Sequence, residues 1–438
     1  MSVRPDLDVP LSPAQCESFL DLAVRLDHAP QTLLAGRQLT SRPVIDSVAT
    51  ARSLLPVTPA QRARRQAVFY SPDIALRRAI GQGVHDRLEA AVFADGEIDL
   101  GDETGAARHF PFPAKATSVL QRFVEPGECW DLSVRGAEFG VDDFDDLLVL
   151  VNVGELILAA GASVVVQGNL LVLVVQRLVR EDASPSPDGF QVGILPTPFS
   201  VDPRRDRVRA ADGSAGLDGA PGPNGVRAET VPSFLGPRLV RPRVAAQADG
   251  GPGAAGTAGT DGAAGASGGP SKLADVTIGD LVGTLTLGAG AGAGLPGGAG
   301  GDGGRGGAGG QGAAGVHAVG TSVAAGRGGD GGDGGDGGRG GRGGSGGISS
   351  NVFVTVPADA TARIRVVALD APGGRGGRGG CGGAGGIGGT GGQSDRTDGR
   401  PGESGRPGAA GKQGAPGRDG RSRPAPPVYV NEERWRQT

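Results

Sequence analysis

Gly-Gly-Asp-Gly-Gly-Asp-Gly-Gly-Asp, residues 328–336, is the stretch on which the reading of this chain turns. A strict period of three in glycine belongs to the extended left-handed helix with three residues per turn. That helix has no internal hydrogen bonds, so its N–H and C=O groups need water or neighbouring helices as partners. Six tracts keep the period: 213–225, 250–268, 294–315, 326–347, 374–392 and 399–420. The last four are of nearly equal length, and each would span roughly 65 Å at about 3.1 Å per residue. Residues 297–311, 326–347 and 373–392 repeat Gly-Gly-X, whereas 399–420 repeats Gly-X-Y.

Collagen needs one glycine in three, and a second costs backbone entropy for no gain. In a bundle within one chain, Gly-Gly-X leaves two sides of a helix bare for close packing. Matched lengths, strict phase and strand-bearing connectors argue against a flexible linker. The expectation is a bundle with Gly-Gly-X tracts inside and Gly-X-Y tracts at the edge. Proline, which has no N–H to give a neighbour, concentrates in 213–225 and 399–420, the expected edges.

Tracts of matched length joined by short turns resemble the polyglycine-II bundles of snow flea antifreeze protein and of certain phage tail-fibre tip adhesins. The resemblance covers about 213–420 and concerns architecture. The antifreeze proteins are small secreted domains. The adhesins bind through variable loops at one end of the bundle.

Outward from the tracts the chain changes character. Residues 1–95 read as helical: Ser12-Pro13-Ala14-Gln15 and Thr58-Pro59-Ala60-Gln61 are capping boxes, and Ser71-Pro72 opens a third helix. From 117 valine-rich strands follow, with Gly154, Gly161 and Gly168 between them at intervals of seven. They suggest a β-helix or a β-sandwich. Within the connectors, 271–287 carries two strands and 351–369 reads as a hairpin. The expected fold is multi-domain: an α-helical docking region (1–95), a β domain (96–205), a C-terminal polyglycine-II helix bundle with short strand connectors (206–424) and a tail (425–438).

Composition excludes several function classes. Net charge is −4 with both signs dispersed, and no basic stripe interleaved with aromatics appears, so nucleic acid is not an expected partner. The most apolar stretch, 147–179, is broken by Asn152, Glu155, Gln167 and Asn169, so no membrane span is expected. No signal peptide is visible, which leaves the cytoplasm or export without a cleaved signal. Cys16, Cys129 and Cys381 form no framework; incidental thiols, one cross-link or a reactive Cys381 are the readings. His28, His85, His109 and His317 are isolated. Asp142–Asp146 reads as a solvated turn, with a calcium-holding loop as the alternative. The ladder Asp330, Asp333, Asp336 reads as exposed charge with arginine partners. No catalytic, cofactor or metal site is expected.

The resulting expectation is a structural or adhesive protein, not an enzyme, that presents a rigid bundle to a protein assembly, a surface receptor or a glycan, alone or as a homo-oligomer. Two alternatives stand beside it. One is ice binding through the small-residue face of 250–268. The other is a carbohydrate-active β-helix enzyme.

Overall fold

The computed structural model describes residues 11–70, 73–83, 89, 92–94, 110–141, 147–181, 189–198, 210–240, 247–395 and 399–436. Among these, five α-helices come first: α1 (Pro13–Arg25), α2 (Pro30–Leu34), α3 (Val48–Leu54), α4 (Pro59–Tyr70) and α5 (Ile74–Ile80). Ser12 starts α1 through a reciprocal cap: its N–H donates to Gln15 Oε1 at 2.9 Å, and the Gln15 N–H donates to Ser12 Oγ at 3.3 Å. Thr58 and Gln61 start α4 in the same way. The expected helix start at Ser71-Pro72 lies outside the described residues.

Two sheets form the core. A ten-stranded mixed sheet holds β1 (Leu39–Ser41), β2 (Val44–Ile45), β3 (Phe112–Val124), β5 (Leu148–Leu158), β7 (Leu170–Arg180), β11 (Ala274–Ile278), β12 (Leu281–Val282), β16 (Val352–Thr355), β18 (Val428–Val430) and β19 (Glu433–Arg434). A five-stranded parallel sheet holds β4 (Cys129–Asp131), β6 (Ser163–Gln167), β8 (Val192–Leu195), β13 (Leu285–Gly290) and β17 (Ile364–Leu369). From β3 to β18 the chain winds between the two, and in each sheet the successive strands of the winding pair in parallel, whereas the final β19 turns back antiparallel on β18. Valines and leucines from both sheets form one buried cluster between them, including Val149, Leu171, Leu287 and Val354. All eleven residues of β5 are buried, as expected for a parallel strand covered on both faces. Asn152 and Glu155 are accommodated there by partners: Asn152 Nδ2 donates to the Phe19 carbonyl at 2.9 Å, and Glu155 pairs with Arg177 at 3.1 Å. Gly161 and Gly168 turn the chain at positive φ, but Gly154 lies inside β5, where a Cβ would come closer than 3.0 Å to the Leu120 carbonyl.

The expected class of fold is corrected by this arrangement. The strands of the tract connectors are not caps on a separate domain. β11 lies in the large sheet between β7 and β16, and β13 lies in the small sheet between β8 and β17. Residues 351–369 are therefore no hairpin: β16 and β17 belong to different sheets, joined by a tight turn at Ala358–Arg363. Nor is the N-terminal stretch a helical region of its own, since β1 and β2 pair with β3. Its helices cover the outer face of the large sheet, where Leu22, Leu54 and Phe69 pack with Phe112, Leu148, Phe353 and Tyr429. Neither a β-domain closed at 205 nor a C-terminal helix bundle is present; no α-helix lies beyond residue 94 among the described residues. Local periodicity shows that a segment is a strand but not which sheet receives it.

The glycine tracts are excursions from this winding. Between β8 and β11, between β13 and β16, and between β17 and β18, the chain leaves the sheets as a pair of extended tracts and returns. The six tracts stack in two layers, the outgoing 213–225, 294–315 and 374–392 in one and the returning 250–268, 326–347 and 399–420 in the other. Within the first layer the N–H groups of Gly213, Gly216, Gly219, Gly222 and Gly225 donate to the carbonyls of Ala299, Asp302, Arg305, Ala308 and Gln311 at 2.7–2.8 Å. Gly297, Gly300 and Gly303 donate likewise to Arg375, Arg378 and Cys381. Between layers, Gly335 donates to the Gly304 carbonyl and Gly383 to the Gly335 carbonyl. Tracts 294–315 and 326–347 are each bonded to four others. A Cβ at Gly335 would come closer than 3.0 Å to the Thr257 carbonyl, so glycine is a steric requirement there.

The aspartate ladder has a role other than the expected one. Asp330, Asp333 and Asp336 each accept, through Oδ1, the backbone N–H of Arg406, Ala409 and Lys412 at 2.7 Å. The glycine after each aspartate donates to the carbonyl of that same residue. An Asp-Gly pair thus clasps both backbone groups of one residue on the neighbouring tract. Asp212-Gly213, Asp218-Gly219 and Asn224-Gly225 clasp Ala299, Arg305 and Gln311, and Asp302-Gly303 clasps Cys381.

Candidate binding surface

Among the described residues the sequence-predicted chemical groups are not brought together. His28 is buried, with Nδ1 2.7 Å from Ser118 Oγ and Nε2 3.0 Å from Ser41 Oγ. Ser41 Oγ donates to the Leu26 carbonyl, so Nε2 is the donor to Ser41 and Nδ1 the acceptor from Ser118. Burial lowers the His28 pKa, and Asp27 opposes this in part. His317 is exposed at a tract turn. His85, His109 and Asp142–Asp146 lie outside the described residues. Cys16, Cys129 and Cys381 are free thiols. Among the described residues no group of three or more His, Cys, Asp or Glu is placed to hold a metal ion. No described helix is long and apolar enough to cross a membrane.

One buried ion pair escaped the sequence reading. Arg65, on α4, reaches Asp275 on β11 at 2.7 Å, and both are 1% exposed. The guanidinium also lies 4.3 Å over the Phe353 ring and 3.5 Å from Glu432. Enclosed on every side, this cluster fastens a helix to the sheet and offers no access to a substrate.

The accessible features lie at the tract turns farthest from the sheets. Between tracts 213–225 and 250–268 stands a small ribbon, β9 (Thr230–Val231) against β10 (Arg238–Leu239). Its turn is fixed by paired bonds, the Ser233 N–H to the Gly236 carbonyl and the Gly236 N–H to the Ser233 carbonyl. At its apex Phe234 is fully exposed and Leu235 is 77% exposed; Val231 and Val240 flank them, half-exposed. The next turn is the ribbon β14 (Val316–Ala318) against β15 (Thr321–Val323). The Val319 N–H donates to the Pro237 carbonyl at 2.9 Å, and the His317 N–H donates to Asp395 Oδ2 in the third turn at 2.5 Å. Three turns distant in sequence are thereby joined into one end surface. The sequence signal for it is Val231-Pro232-Ser233-Phe234-Leu235-Gly236-Pro237, an apolar core between prolines.

Two threonines of 250–268 are engaged, whereas its Ala255, Ala258, Ala264 and Ser267 are exposed. Thr257 Oγ1 accepts the Leu217 N–H at 2.6 Å, and Thr260 Oγ1 accepts the Ser214 N–H at 2.7 Å. These hydroxyls seal one tract against another.

No family model matches this chain, and no curated protein or solved structure matches it either.

Proposed function

We propose that this is a non-catalytic structural or adhesive protein that carries a binding surface on the turns of its glycine tracts. The observation that carries the reading is the ribbon apex. A fully exposed Phe234 beside a 77% exposed Leu235, on a turn bonded to its neighbour, is a cost in water that no described residue offsets. Apolar and aromatic side chains on a rigid support are what a protein or glycan partner requires of a contact point. The tracts supply the reach, roughly 65 Å for the longer ones.

The test compares the native chain with a Phe234→Ser, Leu235→Ser variant on glycan and surface-receptor arrays. Both chains should melt alike, because the two side chains touch little. Retention of the native chain that is lost in the variant supports the proposal. Retention indifferent to the two changes, or turnover of a retained glycan, overturns it.

A further inference from the structure

The layered tracts repeat one row of bonds, and the last row stands open. Glycine N–H groups of 213–225 donate to carbonyls of 294–315, and those of 294–315 donate to 374–392. In the other layer, 250–268 donates to 326–347, and 326–347 donates to 399–420. Tract 374–392 carries the same row on its outward side. Two of its donors are met by side chains: the Gly373 N–H by Ser422 Oγ at 3.0 Å and the Gly376 N–H by Asp419 Oδ1 at 2.8 Å. The next five, on Gly379, Gly382, Gly385, Gly388 and Gly391, have no partner among the described residues. The residues of 399–420 that replace Asp419 along this row are Pro416, Gln413, Ala410, Pro407 and Ser404, and none of them is a carboxylate.

The matching acceptors lie beside them. Where tract 374–392 sits against 326–347, its Gly377, Gly380, Gly383 and Gly386 donate to the carbonyls of Gly341, Gly338, Gly335 and Gly332. The equivalent carbonyls of 399–420, on Gly405, Gly408, Gly411 and Gly414, accept no described donor. The groove between 374–392 and 399–420 thus presents the same donors and acceptors as the groove that tract 374–392 itself occupies.

We infer that this groove binds an extended Gly-X-Y segment of a second polypeptide, one that lies along it as a further tract. The continuity of the row sets the chemistry of the occupant. Its glycine N–H donates to the carbonyls of 399–420, and its next carbonyl accepts from tract 374–392. The other two N–H groups of each triplet find no acceptor in the groove. Tract 374–392 offers Arg375, Arg378, Cys381, Ala384, Ile387 and Thr390 where its neighbours place clasping aspartates. Proline is therefore tolerated at both non-glycine positions, and a proline-bearing segment comes already extended. Exposed Ile387 adds an apolar contact. The other layer is closed at its rim: 399–420 carries side chains where a donating glycine would stand, and Pro407 and Pro416 have no N–H.

The probe is a fluorescein-labelled peptide of about five Gly-Pro-Ala triplets, titrated with the full chain by fluorescence anisotropy. Saturable binding is expected, with slowed amide exchange at Gly379, Gly382, Gly385 and Gly388. A Pro416→Asp, Gln413→Asp, Ala410→Asp variant supplies internal carboxylates, as Asp419 does for Gly376. It should weaken the peptide by at least about tenfold without lowering the melting temperature. The Phe234→Ser, Leu235→Ser variant should bind the peptide as the native chain does, which separates this groove from the end surface. No saturation up to about 1 mM overturns the inference. So does equal binding of a peptide with its glycines replaced by alanine. Should the triple variant fail to fold, unchanged exchange at the four glycines of the native chain on adding peptide overturns it equally.

Discussion

At the residue scale, neighbours in sequence do opposite work. A Cβ at Gly335 would intrude on the Thr257 carbonyl, whereas Asp336 is exposed and clasps the Lys412 N–H. Gly335→Val should cost about 3 kcal/mol or more, at the upper end of overpacking. Asp336→Ala should cost no more than about 1.5 kcal/mol, one hydrogen bond with water able to replace it. Asp336→Asn should be close to neutral, because Asn224 already performs the clasp on Gln311 at 2.8 Å. Chemical denaturation of the three variants checks this order, and equal losses would refute the clasp. His28 gives a pH signature. Its native pKa lies below its ordinary value of 6.5, so the unfolded chain takes up the proton first. Its contribution is whole above about pH 6.5 and is lost as pH falls through the window down to the depressed native value. His28→Gln should flatten the stability difference between about pH 7.5 and pH 5; an unchanged slope would assign the acid sensitivity elsewhere.

At the element scale, what the sequence disclosed was whatever is settled within a few residues. The caps at Ser12 and Thr58, the turns at Gly161 and Gly168 and the period of the tracts are all of that kind. Gly154 shared the spacing of the turn glycines but meets Leu120, more than thirty residues away, and stays inside its strand. Residues 351–369 looked like a hairpin because two strands and a short turn have the same local pattern whether they pair or part. The aspartate ladder looked solvated because its partners lie 76 residues on. Arg65 and Asp275 were unreadable for the same reason, 210 residues apart. That pair fastens α4 to β11. Arg65→Ala should cost about 3–5 kcal/mol by leaving Asp275 buried without its cation. Replacing both with apolar residues of similar volume should recover most of the loss. A double variant as unstable as the single one would show that packing over Phe353, not charge, is what α4 contributes.

At the scale of the whole molecule, the helices and the sheet stand or fall together. Removing 1–95 should unfold or aggregate the remainder, since it strips cover from Phe112, Leu148, Phe353 and Tyr429; a soluble, cooperatively melting fragment would make the helices a separable module. The tracts obey a different constraint. Every residue has one of three orientations, set by its count from the start of its tract, and the clasps hold that count to an offset of 87 residues between the first and third tracts and 76 between the fourth and sixth. The chain therefore possesses a reading frame at the level of protein. Inserting one residue into a tract would turn everything downstream by a third of a revolution, carrying arginines inward against glycine carbonyls. Inserting three beside a turn would leave the frame intact and lengthen the reach by about 9 Å. Length variation in such a chain should thus be quantised in triplets, and single-residue insertions should be tolerated only in the turns, where the frame is reset.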